Sequence, residues 1–239
     1  SRKGRNVEPV TIREGSPNHT VLLTSRHHAG EMMATHALEG ILRAVLADSE
    51  FGREFRRTAA LYAVPFVDKD GVEEGDQGKN RMPHDYAQDY QDPALYPETR
   101  ALRRMIEERK IDFVLDLHCP WIYRDWNEVS YMVGSGNAKM DRAMDRFGEI
   151  LESYQVSCAP YFKKNNIAFG VDWNTEKNYT QGRTISQFAE KLPFIRFARS
   201  IEIPFANFGE ITVDRGSMLR YGDSIAHAIL TDLKEGEER

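Results

Sequence analysis

"TSRHHAGEMMATHALEGIL", residues 24–42, joins two different periodicities. Upstream, "VEPVTI" and "TVLLT" are short β-branched, apolar runs separated by the turn formers of "EGSPNH", and they read as two strands. Downstream, Met33, Ala37, Leu38, Ile41, Leu42 and Val45 recur at helical spacing, which predicts an amphipathic helix from Gly30 to about Leu46. The junction between them carries His27, His28 and Glu31. His28 and Glu31 are three residues apart, so in a helical first turn both side chains lie on one face and can converge on a single ion. A histidine and an acid near a helix start also serve capping and dipole roles, so H-x-x-E alone does not decide between a metal site and a polar helix start.

The rest of the chain continues the alternation. "TAALYAVPFV" is a buried strand by its apolar run, and residues 97–109, "PETRALRRMIEER", form a helix that opens on proline. "IDFVLDLHCP", "EVSYMVG" and "FARSIEIPF" read as strands. "NAKMDRAMDRFGEILESYQ", "ISQFAEKL" and "RGSMLRYGDSIAHAILTDLKE" read as helices. Strands alternating with helices predict an α/β layer structure, a mixed and largely parallel sheet flanked by helices, in one domain over residues 1–239. "DKDGVEEGDQGKNRMPHDYAQDYQDP" shows no periodicity and reads as a long loop, which inside a compact domain is more often functional than idle.

Composition narrows the function classes. A net charge of -5 with no basic cluster argues against nucleic acid as a partner, because neutralising phosphates needs a dense cationic patch. The longest apolar runs are far short of the roughly 20 residues that cross a bilayer. Two cysteines, Cys119 and Cys158, cannot build a disulfide framework, though they could pair. "NHT" at Asn18 and "NYT" at Asn178 match glycosylation sequons, which matter only in a eukaryotic secreted protein. "SRKGRN" has neither an initiating methionine nor a signal-like apolar segment, which is compatible with a fragment whose targeting segment has been removed, and localisation stays open.

In sheets of this kind reactive side chains collect where strands end. Three strand ends carry them here: "RHHAGE" after "TVLLT", His118 in "DLHCP", and Glu202 in "SIEIPF". His28, Glu31 and His118 together would make a two-histidine, one-carboxylate set, which suits a catalytic zinc with a position left for water. His118 alone could equally be a hydrogen-bonded core histidine. Glu202, solitary in an apolar strand, could be one half of a buried ion pair with Arg199 or Arg215. His27 lacks a glutamate three residues on and is expected to line the pocket or pair elsewhere.

"SRHHAGE" resembles the R-x-H-P-G-E element of the zinc metallocarboxypeptidase family, with Ala29 in place of the proline. Further elements follow in the family's order. "VPFVDKDGVEEGDQGKNR" resembles its strand and N-P-D-G-V-x-x-G-N-x-R loop, "HDYAQDY" stands for D-x-N-R-x-[WY], and "FVLDLHCP" for the strand carrying the third ligand. "GVDW" and "SIEIPF" stand for the elements before and around the catalytic glutamate. The resemblance implies the zinc carboxypeptidase-like fold, one zinc per chain on His28, Glu31 and His118, and Glu202 as general base. It also implies Asp85 as the carboxylate behind the first ligand histidine and Arg81 as the cation that polarises the scissile carbonyl. The substrate it implies is a peptide or peptide-like molecule.

The pattern breaks where the family binds the substrate's terminal carboxylate. Ala87 and Gln88 replace the asparagine and arginine of D-x-N-R, and an amide offers only neutral hydrogen bonds where a guanidinium offers paired charged ones. Arg124 and Arg183 are the substitutes available to the substrate-binding region beside Gln88. For the family's mobile-loop tyrosine, Tyr161 is the nearest tyrosine, while Lys164 lies closer to the expected spacing. Three readings follow: a zinc-dependent amide hydrolase with atypical carboxylate recognition, a deacylase or amidase for acylated amino acids or cell-wall peptides, and a silent binding module of the same fold.

Overall fold

A computed structural model describes residues 1–79, 81–122 and 128–236. Six strands form one sheet: β1 (Val10–Ile12), β2 (His19–Ser25), β3 (Ala59–Val64), β4 (Phe113–His118), β5 (Tyr131–Val133) and β6 (Phe197–Glu202). Their order is β1-β3-β2-β4-β6-β5. The four central strands run parallel, and β1 and β5 close the edges antiparallel. This is the mixed, largely parallel sheet that the alternating elements predict. A short hairpin, β7 (Asn207–Phe208) with β8 (Ile211–Thr212), stands apart from it.

The helices cover both faces. α1 (Met32–Leu46), α5 (Ala138–Ser153) and α7 (Arg215–Glu235) pack their apolar stripes on one face, over Val21, Leu23, Leu115, Phe197 and Ile201. The crossing of α1 and α7 is close: a Cβ on Gly222 would lie 2.0 Å from the carbonyl oxygen of Ala37. α4 (Pro97–Arg109) and α6 (Ile185–Ala189) cover the other face, with Leu102, Ile106, Ile185 and Ala189 over Leu22, Val114 and Ala198. Successive residues of a strand face opposite sides, so this second face also takes Thr24, Asp116, His118 and Glu202. In β4 the apolar run is thus interrupted on this face by Asp116 and His118, and in β6 Glu202 ends the strand on the same face.

Two helices lie outside the segments read as helical. α2 (Glu50–Thr58) starts on the Ser49 side chain, which accepts from the Gly52 N–H, and buries only Gly52 and Phe55. α3 (Lys69–Glu74) falls inside the expected long loop. Asp68 accepts from the Gly71 N–H at its start and Gly75 ends it at φ 72°. Cys119 is buried, Cys158 is half-buried, and both are free. Among the described residues no helix is long and apolar enough to cross a membrane.

Candidate metal centre and active site

β2 is followed in the chain by β3 on one side of the sheet, while β4 lies on its other side, so the C-terminal ends of β2 and β4 flank a point where the strand order reverses. Crevices in α/β sheets open at such points. The turn after β2 delivers His28 and Glu31 there, and the last residue of β4 is His118. Arg26 takes a left-handed backbone, φ 60°, to make this turn. The helix expected from Gly30 starts two residues later, at Met32. Glu31 precedes the first residue of α1, and its N–H bonds the His28 carbonyl at 3.2 Å, so a tight turn rather than the helix itself brings the two side chains together.

Ligand atoms of His28, Glu31 and His118 lie within 4.8 Å of one another. His28 Nδ1 is 2.8 Å from Glu31 Oε1 and His118 Nδ1 is 2.9 Å from Glu31 Oε2. The far nitrogen of each ring meets a different carboxylate: His28 Nε2 lies 3.2 Å from Asp85 Oδ1, and His118 Nε2 lies 2.6 Å from Asp116 Oδ2. A carboxylate on the far nitrogen fixes the proton there and leaves the near nitrogen's lone pair for a metal. Two imidazoles aimed in that way at one buried carboxylate form a donor set that fits zinc.

The carboxylates behind the rings are themselves held. Burial would lift the Asp85 carboxyl, but the bonds from His28 and the Ala87 N–H outweigh it and keep its pKa at about 2. Asp116 is buried and accepts from the Thr24 hydroxyl at 2.7 Å and from His27 Nδ1 at 2.9 Å, both at Oδ1. His27 Nε2 in turn meets the Tyr90 hydroxyl at 2.6 Å. His27 therefore pairs elsewhere, as one link of a buried chain Tyr90–His27–Asp116–His118. These groups also make His27, Asp116 and His118 a second set with metal-ligand spacing, but its atoms are all occupied by one another.

A cavity of about 620 Å³ opens from this centre, and His28, His118, Asp85 and Glu202 border it. β4 and β6 are in register, so His118 and Glu202 are direct neighbours across the sheet, and Tyr131 of β5 is the partner of Glu202 on its other side. Glu202 is buried and its Oε2 has no hydrogen-bond partner among the described residues. Burial raises its pKa from the ordinary glutamate value, against the pull of Lys79 and His118. Neither suggested ion pair forms: Arg199 binds Asp141 and Glu190, and Arg215 binds Glu39.

The remaining expected site residues divide. Gln88 borders the cavity, where its Nε2 donates to the Asn178 carbonyl at 3.0 Å and reaches Asp85 Oδ2 at 3.3 Å. Arg183 is exposed and does not border the cavity, and Arg124 lies outside the described residues. Arg81 does not border the cavity either, because its guanidinium turns to Asp68 and, at 3.0 Å, to Asp76. Tyr161 is buried away from it, donating to Asn166 Oδ1 at 2.8 Å. Two side chains that the sequence reading passed over take part instead. Asp116 had a signal, since strand alternation puts it on the His118 face; Lys79, whose ammonium reaches Glu31, had none.

Comparison with proteins of known structure places this architecture. A metallo-carboxypeptidase from Burkholderia cenocepacia superposes with a TM-score of 0.77 at 17% identity, covering 98% of this chain and 62% of its own. The chain has the metallo-carboxypeptidase fold. A metallo-carboxypeptidase from Pseudomonas aeruginosa, solved in complex with (2-guanidinoethylmercapto)succinic acid, gives the same TM-score at 19% identity and covers 98% of this chain and 63% of its own. Sequence relatives agree with the resemblance to zinc metallocarboxypeptidases. Bovine cytosolic carboxypeptidase 3 is 27% identical over 116 residues, 46% of this chain and 12% of its own length. An uncharacterized protein of Zymomonas mobilis is 26% identical over 218 residues, 88% of this chain and 54% of its own. The chain thus spans about half, or much less, of the curated relatives it matches. No family model matches it.

Proposed function

We propose that the protein is a zinc-dependent hydrolase that cleaves an amide bond in a peptide or peptide-like substrate. The observation that carries this reading is the meeting, at one cavity, of a convergent donor set with a buried carboxylate oxygen that has no partner among the described residues. His28, Glu31 and His118 would hold one zinc ion, which when bound lowers the pKa of water and polarises a carbonyl. Asp85 and Asp116 keep the ligand histidines in the tautomer that presents Nδ1. Glu202 Oε2 accepts a proton from the attacking water and later returns it to the leaving nitrogen, a role open to it because no structural hydrogen bond among the described residues occupies that oxygen.

A second reading, hydrolysis of an acylated amino acid or a cell-wall peptide, is supported by the chain's own departure at the clamp. Ala87 and Gln88 border the cavity at the positions of the family's asparagine and arginine, and the Gln88 amide is engaged by Asn178 and Gln181. Both readings use the same centre and the same base.

The test is metal analysis of protein purified without chelators, joined to turnover on a panel of peptides and acyl-amino acids. Near-stoichiometric zinc is expected in the wild type, and His118→Ala should lose most of it. Glu202→Gln should keep the zinc while hydrolysis falls by roughly 100-fold or more. A Glu202→Gln protein that turns over at the wild-type rate would assign the proton transfer to another group.

A further inference from the structure

Amide hydrolysis builds negative charge on the carbonyl oxygen, and a fixed cation or donor beside that oxygen is worth a large part of the barrier. The family resemblance gives this role to Arg81, but the Arg81 guanidinium is held by Asp68 and Asp76 and stays off the cavity. Among the described residues, the lysine and arginine side chains that border the cavity are Lys79 and Arg199. Arg199 is fully buried between two carboxylates, Asp141 at 2.6 Å and Glu190 at 3.0 Å, which neutralise it.

We propose that Lys79 is the cation that stabilises the developing oxyanion, a proposal that rests on reading the site as a zinc-dependent amide hydrolase. Its ammonium contacts Glu31 Oε1 and donates to the Cys119 carbonyl at 2.8 Å, with the Trp121 ring centroid at 5.6 Å. An ammonium has three donors, so two assigned bonds leave a third. The contacts bracket the site: Glu31 is a ligand of the centre, and Cys119 follows His118 in the chain. A group anchored to both and bordering the cavity is within reach of a carbonyl presented to the metal and to Glu202, whose carboxylate feels the Lys79 charge. A single oxygen needs only a point charge, which a lysine supplies as well as the forked guanidinium does.

The backbone under Lys79 is held as closely as its side chain. The Gly30 N–H bonds the Gln77 carbonyl at 2.8 Å, tying this loop to the turn that carries His28. Gly78 sits at φ 94°, and a Cβ there would lie 2.3 Å from the Ala29 nitrogen, so only glycine lets the two strands of backbone touch. The Lys79 N–H then donates to Gln77 Oε1 at 2.8 Å. Lys79 is therefore positioned by the same turn as the first ligand, which is the precision that stabilising a transition state requires.

The competing role for Lys79 is only to neutralise buried Glu31. Zinc-loaded wild type, Lys79→Met, Lys79→Arg and Arg81→Met separate the two when three quantities are measured: zinc per chain, kcat and KM on the best amide of the panel, and affinity for a dipeptide phosphinate. The phosphinate carries tetrahedral, anionic oxygens where hydrolysis develops charge. Lys79→Met is expected to keep its zinc, to lose roughly 100-fold or more in kcat with KM changed less than about threefold, and to lose phosphinate affinity in parallel. Lys79→Arg should recover part of both losses, and Arg81→Met should lose less than Lys79→Met. Phosphinate affinity and kcat within threefold of wild type in Lys79→Met would overturn the proposal, as would a larger loss in Arg81→Met. Loss of zinc from Lys79→Met, restored by Lys79→Arg without turnover, would reduce Lys79 to a support for Glu31 and overturn it too. If the wild type hydrolyses no member of the panel, the hydrolase reading fails by itself, while tight phosphinate binding that needs Lys79 would still locate the anion contact.

Discussion

Replacing Asp116 by asparagine changes one oxygen into an NH2 and leaves the shape of the site intact, so its effect on metal binding can be worked out bond by bond. Oδ1 accepts two hydrogen bonds, from Thr24 and His27, and Oδ2 faces His118 Nε2 alone. The amide oxygen must take the place with two donors, which puts the NH2 group against His118. Nε2 then has to accept, the ring proton moves to Nδ1, and the nitrogen that faces Glu31 no longer has a lone pair for a metal. Flipping the amide would restore His118, but only by turning NH2 toward Thr24 and His27. His27 Nδ1 would become an acceptor, its proton would move to face Tyr90, and the Thr24 and Tyr90 hydroxyl protons would have to find new acceptors in a dry site. Neither arrangement is free.

Losing an outer partner of a metal histidine costs about 10- to 100-fold in metal affinity, or roughly 1.4–2.7 kcal/mol. A mismatched buried hydrogen bond costs about 1–3 kcal/mol. The predicted result for Asp116→Asn is therefore a zinc affinity about 10- to 100-fold weaker by competition with a chromophoric chelator. Thermal stability should fall by roughly 2–4 °C for each kcal/mol lost. Zinc affinity within threefold of wild type in a folded Asp116→Asn protein would refute the tautomer argument, and with it the assignment of His118 Nδ1 as a ligand atom.

Two further outcomes follow from the same structure. Since Arg183 does not border the cavity and Gln88 spends its amide on neighbours, converting a substrate's terminal carboxylate to an amide should change kcat/KM by less than about tenfold, as neutral hydrogen bonds are usually worth ~1 kcal/mol; a loss above a hundredfold that Arg124→Ala abolishes would show that an arginine has replaced the clamp. Asp232 is buried in the last turns of α7 with Arg146 on Oδ1 at 2.6 Å and no hydrogen-bond partner on Oδ2 among the described residues, and burial raises its pKa despite Arg146. A raised carboxyl stabilises the fold fully below its unfolded value, about 3.9, and that contribution is lost as pH rises through the folded value. The Tm of Asp232→Asn minus that of wild type should accordingly be more positive at pH 7.5 than at pH 4, and a difference that stays flat or reverses would show that Arg146 outweighs burial.

The elements that could be read from sequence are those whose burial imposes a period. Helix α4 occupies the range that "PETRALRRMIEER" predicts, and α7 coincides with "RGSMLRYGDSIAHAILTDLKE", because each lays a long apolar stripe on the sheet. Helix α2 is hard to read because it is only nine residues long and its apolar face is little more than Phe51 and Phe55. Helix α3 was missed because six residues bounded by Asp68 and Gly75 are held by their ends and not by a buried face. The strand ends were legible for a related reason: a polar residue within an apolar run must be either paired or functional, and His118 and Glu202 stood out as such.

The site shows where that legibility stops. His28, Glu31, His118 and Glu202 sit on turns and strand ends whose lengths are fixed by the sheet, so a resemblance read along the sequence carries over to neighbouring positions in space. The loop after β3 has no such ruler. In N-P-D-G-V-x-x-G-N-x-R the arginine comes two residues after the second asparagine, whereas from Asp76, which stands in that asparagine's place, the same count lands on Gly78, and Arg81 comes three residues later. Extra residues in a loop alter which side chain faces inward at little thermodynamic cost, since loop closure depends only weakly on length. Gly78 then permits the backbone to touch Ala29, the residue after it is turned onto Glu31, and Arg81 is released to Asp68 and Asp76. The insertion was countable in the sequence; the contact with Ala29 that makes Lys79 the inward residue was not, because it depends on two backbones meeting nearly fifty residues apart in the chain.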